Sequence, residues 1–143
     1  MNKTDTKYGA ILVVSPDEGD HAFVRNLFKN PQWQVRGVSS LQQAFDYLAR
    51  NAAAVVICEK ELPGCDWKEL LAGLRRRPDS PVLIVTSERV DDSLWAEVLN
   101  LGGYDVLMKP LDSTEVGRVI NLAWLNWRNT RENSSGFAAA AGM

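Results

Sequence analysis

A glutamate closes the apolar run Ala54-Val55-Val56-Ile57-Cys58-Glu59, and Lys60-Glu61-Leu62-Pro63-Gly64 turns the chain immediately afterwards. Two further apolar runs end on side chains able to do chemistry: Val82-Leu83-Ile84-Val85 leads into Thr86-Ser87, and Val106-Leu107-Met108 leads into Lys109-Pro110. A carboxylate, a hydroxyl and an ammonium group can form an ion pair supported by a hydrogen bond. They can equally help to position a charged substrate. After the apolar run Ala10-Ile11-Leu12-Val13-Val14 comes Ser15-Pro16-Asp17-Glu18, which has the spacing of a capping box with proline at the first helical position, so Ser15 is expected to cap a helix. The remaining reactive types lead nowhere. Cys58 and Cys65 with the lone His21 fit no zinc spacing, and no Ser/His or Cys/His pair can be built from that histidine. Neither G-x-G-x-x-G nor G-x-x-x-x-G-K-[ST] occurs, and Gly102-Gly103 precedes a strand rather than opening a helix.

The elements that must hold these residues alternate. Apolar or β-branched runs at residues 10–14, 33–38, 53–58, 82–85 and 106–108 are separated by amphipathic segments. Five such units predict parallel strands covered by helices on both faces, a doubly wound α/β sheet with its ligand chemistry at the strands' carboxyl ends. Helix starts are marked by Ser39 or Ser40, by Asp66, by Asp91 or Asp92, and by Asp112, where Leu111 and Val116 can form a hydrophobic staple. The last helix carries Val116, Val119, Ile120, Ala123, Trp124 and Trp127 at helical spacing and should lay that stripe on the sheet.

The chain has 143 residues, enough for one domain with a real core. Its formal net charge of -2 gives no general pull toward nucleic acid or an acidic membrane. The arginines Arg75-Arg76-Arg77 read as the end of a helix. No apolar run is long enough to span a bilayer and the polar N-terminus lacks a signal-peptide core, so a cytoplasmic protein with reduced thiols is expected. Residues 1–8 are expected to be disordered, 9–128 to form the domain and 129–143 to be a flexible C-terminal tail.

From about residue 9 to 127 the chain resembles the receiver domain of two-component response regulators. The motifs that carry the resemblance are Ile11-Leu12-Val13-Val14, Leu62-Pro63-Gly64, Pro81-Val82-Leu83-Ile84-Val85-Thr86-Ser87 and Gly102-Gly103-Tyr104-Asp105-Val106-Leu107-Met108-Lys109-Pro110. The resemblance implies a flavodoxin-like five-stranded sheet of order 2-1-3-4-5 with five helices. It also implies a role in phosphorelay signal transduction rather than an enzyme's. The family's phospho-accepting aspartate falls on Glu59, its Mg²⁺-binding acidic pair on Ser15 and Pro16, its switch hydroxyl on Thr86, its lysine on Lys109 and its switch aromatic on Val106.

Three of those positions depart from the pattern. A serine hydroxyl and a proline replace two carboxylates, so no Mg²⁺ or other cofactor is expected; Asp17 could turn inward but suits the first helical turn better. Glu59 displaces the accepting oxygen by roughly 1 Å, a misplacement that can cost on the order of 10²-fold in rate. Glu59 could serve as a structural partner of Lys109. Alternatively, by reaching toward Lys109 and Thr86, it could imitate the phosphorylated state, in which an aspartyl phosphate carries nearly two charges. The expected function is an atypical, phosphorylation-independent receiver acting through protein contacts; the alternative is a phosphorylatable receiver using Glu59 or another acceptor with Mg²⁺. Partners would be proteins (a histidine kinase or a downstream signalling protein), or a second copy through the last two helices, docking on Leu94, Trp95, Leu122 and Leu125. Nucleic acid and membrane are not expected partners.

Overall fold

The computed structural model describes residues 9–141 except Cys65, with side-chain surroundings as far as Arg131. The expectation for residues 1–8 lies outside the described residues. In chain order the elements are β1 (Gly9–Val14), α1 (Glu18–Leu27), β2 (Trp33–Val38), α2 (Leu41–Leu48), β3 (Val55–Glu59), α3 (Trp67–Arg75), β4 (Val82–Ser87), α4 (Asp92–Leu101), β5 (Asp105–Met108) and α5 (Ser113–Ala141). The strands form one parallel sheet in the order β2-β1-β3-β4-β5. This is the expected flavodoxin-like topology.

Alternation along each strand divides the core into two layers. Leu12, Val14, Val56, Cys58, Leu83, Val85 and Val106 pack against α2, α3 and α4. Ile11, Val13, Val55, Ile57, Ile84 and Leu107 pack against α1 and α5. Because the side-chain period of a strand is two, the residue that follows each member of the second set on the same face is fixed. Those residues are Ser15, Glu59, Thr86 and Lys109, so the fold delivers all four to one end of one face.

Most helix starts sit where their residue types place them. Ser40 accepts from Gln43 N, Asp66 from Lys68 N, Asp91 from Leu94 N and Asp112 from Glu115 N. Arg75 closes α3, and its Nη1 donates to the Leu101 carbonyl 2.6 Å away, satisfying an orphan carbonyl at the end of α4. α5 differs from expectation. Instead of giving way to a tail at residue 129, it continues to Ala141. No proline interrupts it, its closing alanine run has the highest helix propensity, and Arg128 over Trp124 (4.8 Å) and Arg131 over Trp127 (4.6 Å) tie successive turns together.

His21 on α1 anchors the site end of β1 and β2. Its Nε2 lies 2.9 Å from the Ser15 carbonyl and 3.1 Å from that of Val38; both partners only accept, so Nε2 carries the proton. The ring needs a bare backbone opposite: a Cβ at Gly37 would stand 2.5 Å from His21 Cγ. Gly37→Ala should therefore cost about 1–3 kcal/mol in chemical denaturation. Adding His21→Ala should recover part of that loss, whereas additive losses would show that the ring does not impose the constraint.

Candidate functional site

Of the four side chains delivered by strand parity, Ser15 and Thr86 are almost fully enclosed, Glu59 retains 7% of its surface, and Lys109 is half-buried. Lys109, just past β5, reaches back between two elements. Its Nζ donates to Glu59 Oε1 at 2.8 Å and to Asp20 Oδ2 at 2.9 Å. Asp20 Oδ2 also accepts from Ser15 Oγ at 2.7 Å. The other Glu59 oxygen, Oε2, faces the backbone N–H of Glu61 at 3.4 Å. An ammonium held by two carboxylates, with a serine hydroxyl bracing one of them, thus joins β1, α1, β3 and the end of β5.

Burial acts most strongly on Lys109 and works against its charged form. The hydrogen bonds to Glu59 and Asp20, and the charges of both, together outweigh it and raise the ammonium pKa above the usual lysine range. Lys109 is therefore charged throughout the neutral range.

Asp20 was not among the residues singled out from sequence. It lies on α1 one turn before Val24, and both are buried on the face turned to the sheet. A carboxylate in the apolar stripe of an amphipathic helix is the signal that could have found it, because a buried charge requires a partner.

Ser15 does not cap α1. Its N–H still bonds to the Val38 carbonyl at 2.9 Å, so Ser15 extends the strand and its hydroxyl faces the pocket. Asp17 is the cap, accepting from Gly19 N at 2.8 Å, and Pro16 is exposed between them. Asp17 does line the mouth of the cleft, about 550 Å³ in volume, together with Asp20, Phe23, Glu88, Lys109 and Leu111. Thr86 is paired in register with Glu59, yet among the described residues its hydroxyl makes no hydrogen bond to that carboxylate. The neighbouring hydroxyl is the one engaged: Ser87 Oγ donates toward Glu61 Oε1 at 2.9 Å and accepts from Arg89 N at 3.1 Å, fastening the loop after β4 to the loop after β3. Val106 points to the opposite layer, packed in the core beneath α4.

Of the four residues expected to dock partners, three are exposed and one is not. Leu94 is buried beside Val98, one turn away on the sheet-facing side of α4, and cannot be a docking residue. Trp95 on α4, and Leu122 and Leu125 on α5, are exposed. Met108 on the edge strand β5 (55% exposed) and Leu101 join them. Leu122 lies one turn before Asn126, which borders the Gly103–Tyr104 segment leading into β5. Among the described residues no helix is long and apolar enough to cross a membrane.

The family model "Response regulator receiver domain" matches residues 11–121. The chain is 36% identical over 77 residues to the response regulator protein FleR of Pseudomonas aeruginosa, covering 53% of this chain and 16% of that protein. It is 30% identical over 105 residues to the hydrogenase transcriptional regulatory protein HoxA of Cupriavidus necator, covering 73% of this chain and 22% of that protein. It therefore spans about a fifth or less of the length of these curated relatives. Among solved structures it is similar to the signal receiver domain of an HD domain-containing protein from Pseudomonas fluorescens Pf-5, with a TM-score of 0.75, 26% identity, and coverage of 84% of this chain and 97% of that one. The Francisella response regulator 1452 receiver domain superimposes with a TM-score of 0.73 at 21% identity, covering 82% of this chain and 98% of that one.

Removing Lys109 should strand two buried carboxylates. Lys109→Met is expected to lower unfolding stability at neutral pH by about 3–5 kcal/mol, measured by urea denaturation. Because the folded pKa is raised, the lysine's contribution is complete below the unfolded value of about 10.4 and is lost as pH climbs through the higher folded value. The gap between wild type and Lys109→Met should stay constant from neutral pH to about pH 10 and then shrink. A gap that closes between pH 7 and 9 would show that Lys109 is not held as described.

Proposed function

The chain belongs to the response regulator receiver family, and from that premise we propose that it signals without a phosphorylation cycle, through protein contacts on the face formed by α4, β5 and α5. The observation that carries this reading is the pair Glu59–Lys109 at 2.8 Å. Receiver chemistry needs a carboxylate oxygen free to attack a phosphoryl group, with a cation and a lysine neutralising the charge that develops. Here one accepting oxygen is bound to the lysine and the other is turned to a backbone N–H.

The residues present do not fit Mg²⁺. That ion takes oxygen ligands in octahedral geometry, commonly one or two carboxylates with waters. Ser15 Oγ is neutral and spends its proton on Asp20, Pro16 has no ligating atom, and Asp20 Oδ2 is already shared between Ser15 and Lys109. Among the described residues, no three acidic, histidine or cysteine side chains converge on one point. No phosphoryl transfer is therefore routed through a metal.

A resident carboxylate paired with the lysine keeps the pocket in one arrangement at all times. With valine at position 106 and packed in the core, no aromatic ring is available there to report the state of Thr86. Output then comes from a constant surface. Trp95, Met108 and Leu122 supply exposed apolar area on three adjoining elements, the composition expected of a contact with a protein partner, or with a second copy of the chain.

Incubated with acetyl phosphate and Mg²⁺, the protein should keep its unmodified intact mass; a persistent gain of one phosphoryl group overturns the proposal. Glu59→Asp with Ser15→Asp and Pro16→Asp should create Mg²⁺ binding measurable by titration calorimetry where wild type shows none. Trp95→Ala with Leu122→Ala should weaken partner capture at least about tenfold, since each removes a candidate anchor of more than 1 kcal/mol. Unchanged capture with unchanged melting would place the output surface elsewhere.

A further inference from the structure

We infer that Asp20 is a built-in competitor for anions, the residue that closes this pocket to phosphate. The inference rests on the phosphorylation-independent reading and deepens it by assigning the exclusion to one side chain outside the positions that the family motifs cover. An ammonium has three protons to donate. On Lys109 one goes to Glu59, as a carboxylate at that strand position allows, and a second goes to Asp20 Oδ2 at 2.9 Å. An incoming phosphoryl oxygen would find one proton left and would have to share the ammonium with both carboxylates.

Three features make the competitor effective. Asp20 is on a helix and braced by Ser15 Oγ at 2.7 Å, so it is held in place without an ordering cost at the moment of competition. Its side chain and that of Lys109 keep only 11% and 12% of their surface, so water screens their attraction weakly. The two carboxylates over-neutralise the lysine, and Asp17 and Glu88 line the same cleft, so an oxyanion meets net negative charge. Ser15 stands where the family's metal-binding pair begins and here serves the competitor. A carboxylate on the helix, joined to Lys109 together with Glu59 on the strand, thus makes an ion cluster that excludes oxyanions.

The test is a titration with inorganic phosphate at fixed ionic strength, read by the ¹H–¹⁵N signals of Lys60, Glu61 and Ser87 and by the Lys109 ammonium signal. Wild type should show no saturable shift, and its Lys109 ammonium should exchange slowly enough to be seen. Asp20→Ala should show saturable shifts at these amides with affinity at least about tenfold above wild type, the size of one charge-assisted hydrogen bond. Its ammonium signal should broaden without phosphate and sharpen with it. Asp20→Asn keeps the size and an accepting oxygen; it should fall between the two and carries the test if Asp20→Ala does not fold. Equal response, or equal silence, in wild type and folded variant overturns the inference. If wild type also stays unmodified in acetyl phosphate, only the assignment to Asp20 fails; if wild type gains a phosphoryl group, the reading beneath it fails.

Discussion

Lys109 sits between Glu59 and Asp20, and the rest of the site follows from that arrangement. An ammonium with about a tenth of its surface exposed is stable only if its charge is met at hydrogen-bond distance; the carboxylates at 2.8 and 2.9 Å do so from two different elements. Each partner in turn constrains its own support. Glu59 holds the end of β3 and the start of the following loop, while Asp20 orients α1 and draws the Ser15 hydroxyl inward. The cluster is therefore a structural tie across the carboxyl end of the sheet.

The sheet makes this possible by geometry that is indifferent to function. Parallel strands in register with alternating faces would present whatever occupies positions 15, 59, 86 and 109 to the same corner. The corner belongs to the fold, and its chemistry belongs to the residues that occupy it. On the proposed reading, acidity on α1 in place of β1 and a longer residue on β3 leave the scaffold intact and the pocket's charges satisfied. Fold and activity are separable for this reason. Apolar packing in two layers sets the positions, and a few polar side chains at the layer's end decide the chemistry.

The fold was legible because its signals are local and repeated: five apolar runs, capping residues at Ser40, Asp66, Asp91 and Asp112, and an apolar stripe on α5. The pairing of Glu59 with Lys109 was legible because both close strands on the same face. Three features were not. Ser15 has the composition of a helix cap, but its backbone remains on the sheet ladder, a tertiary constraint that outranks capping propensity. Leu94 and Trp95 are adjacent in sequence and equally apolar; the 100° rotation per residue of a helix sends one to the core and the other to solvent. Asp20 was hidden because its partner is far away in the chain, and its acidity was ordinary for a first helical turn.

The most direct measurement is a crystal structure of the protein soaked with Mg²⁺ and beryllofluoride, the latter a mimic of a bound phosphoryl group. The account predicts that Lys109 stays between Glu59 and Asp20 and that neither additive has density in the pocket. A beryllium atom bonded to Glu59, or an octahedral Mg²⁺ beside it with Lys109 released from Asp20, would contradict the account.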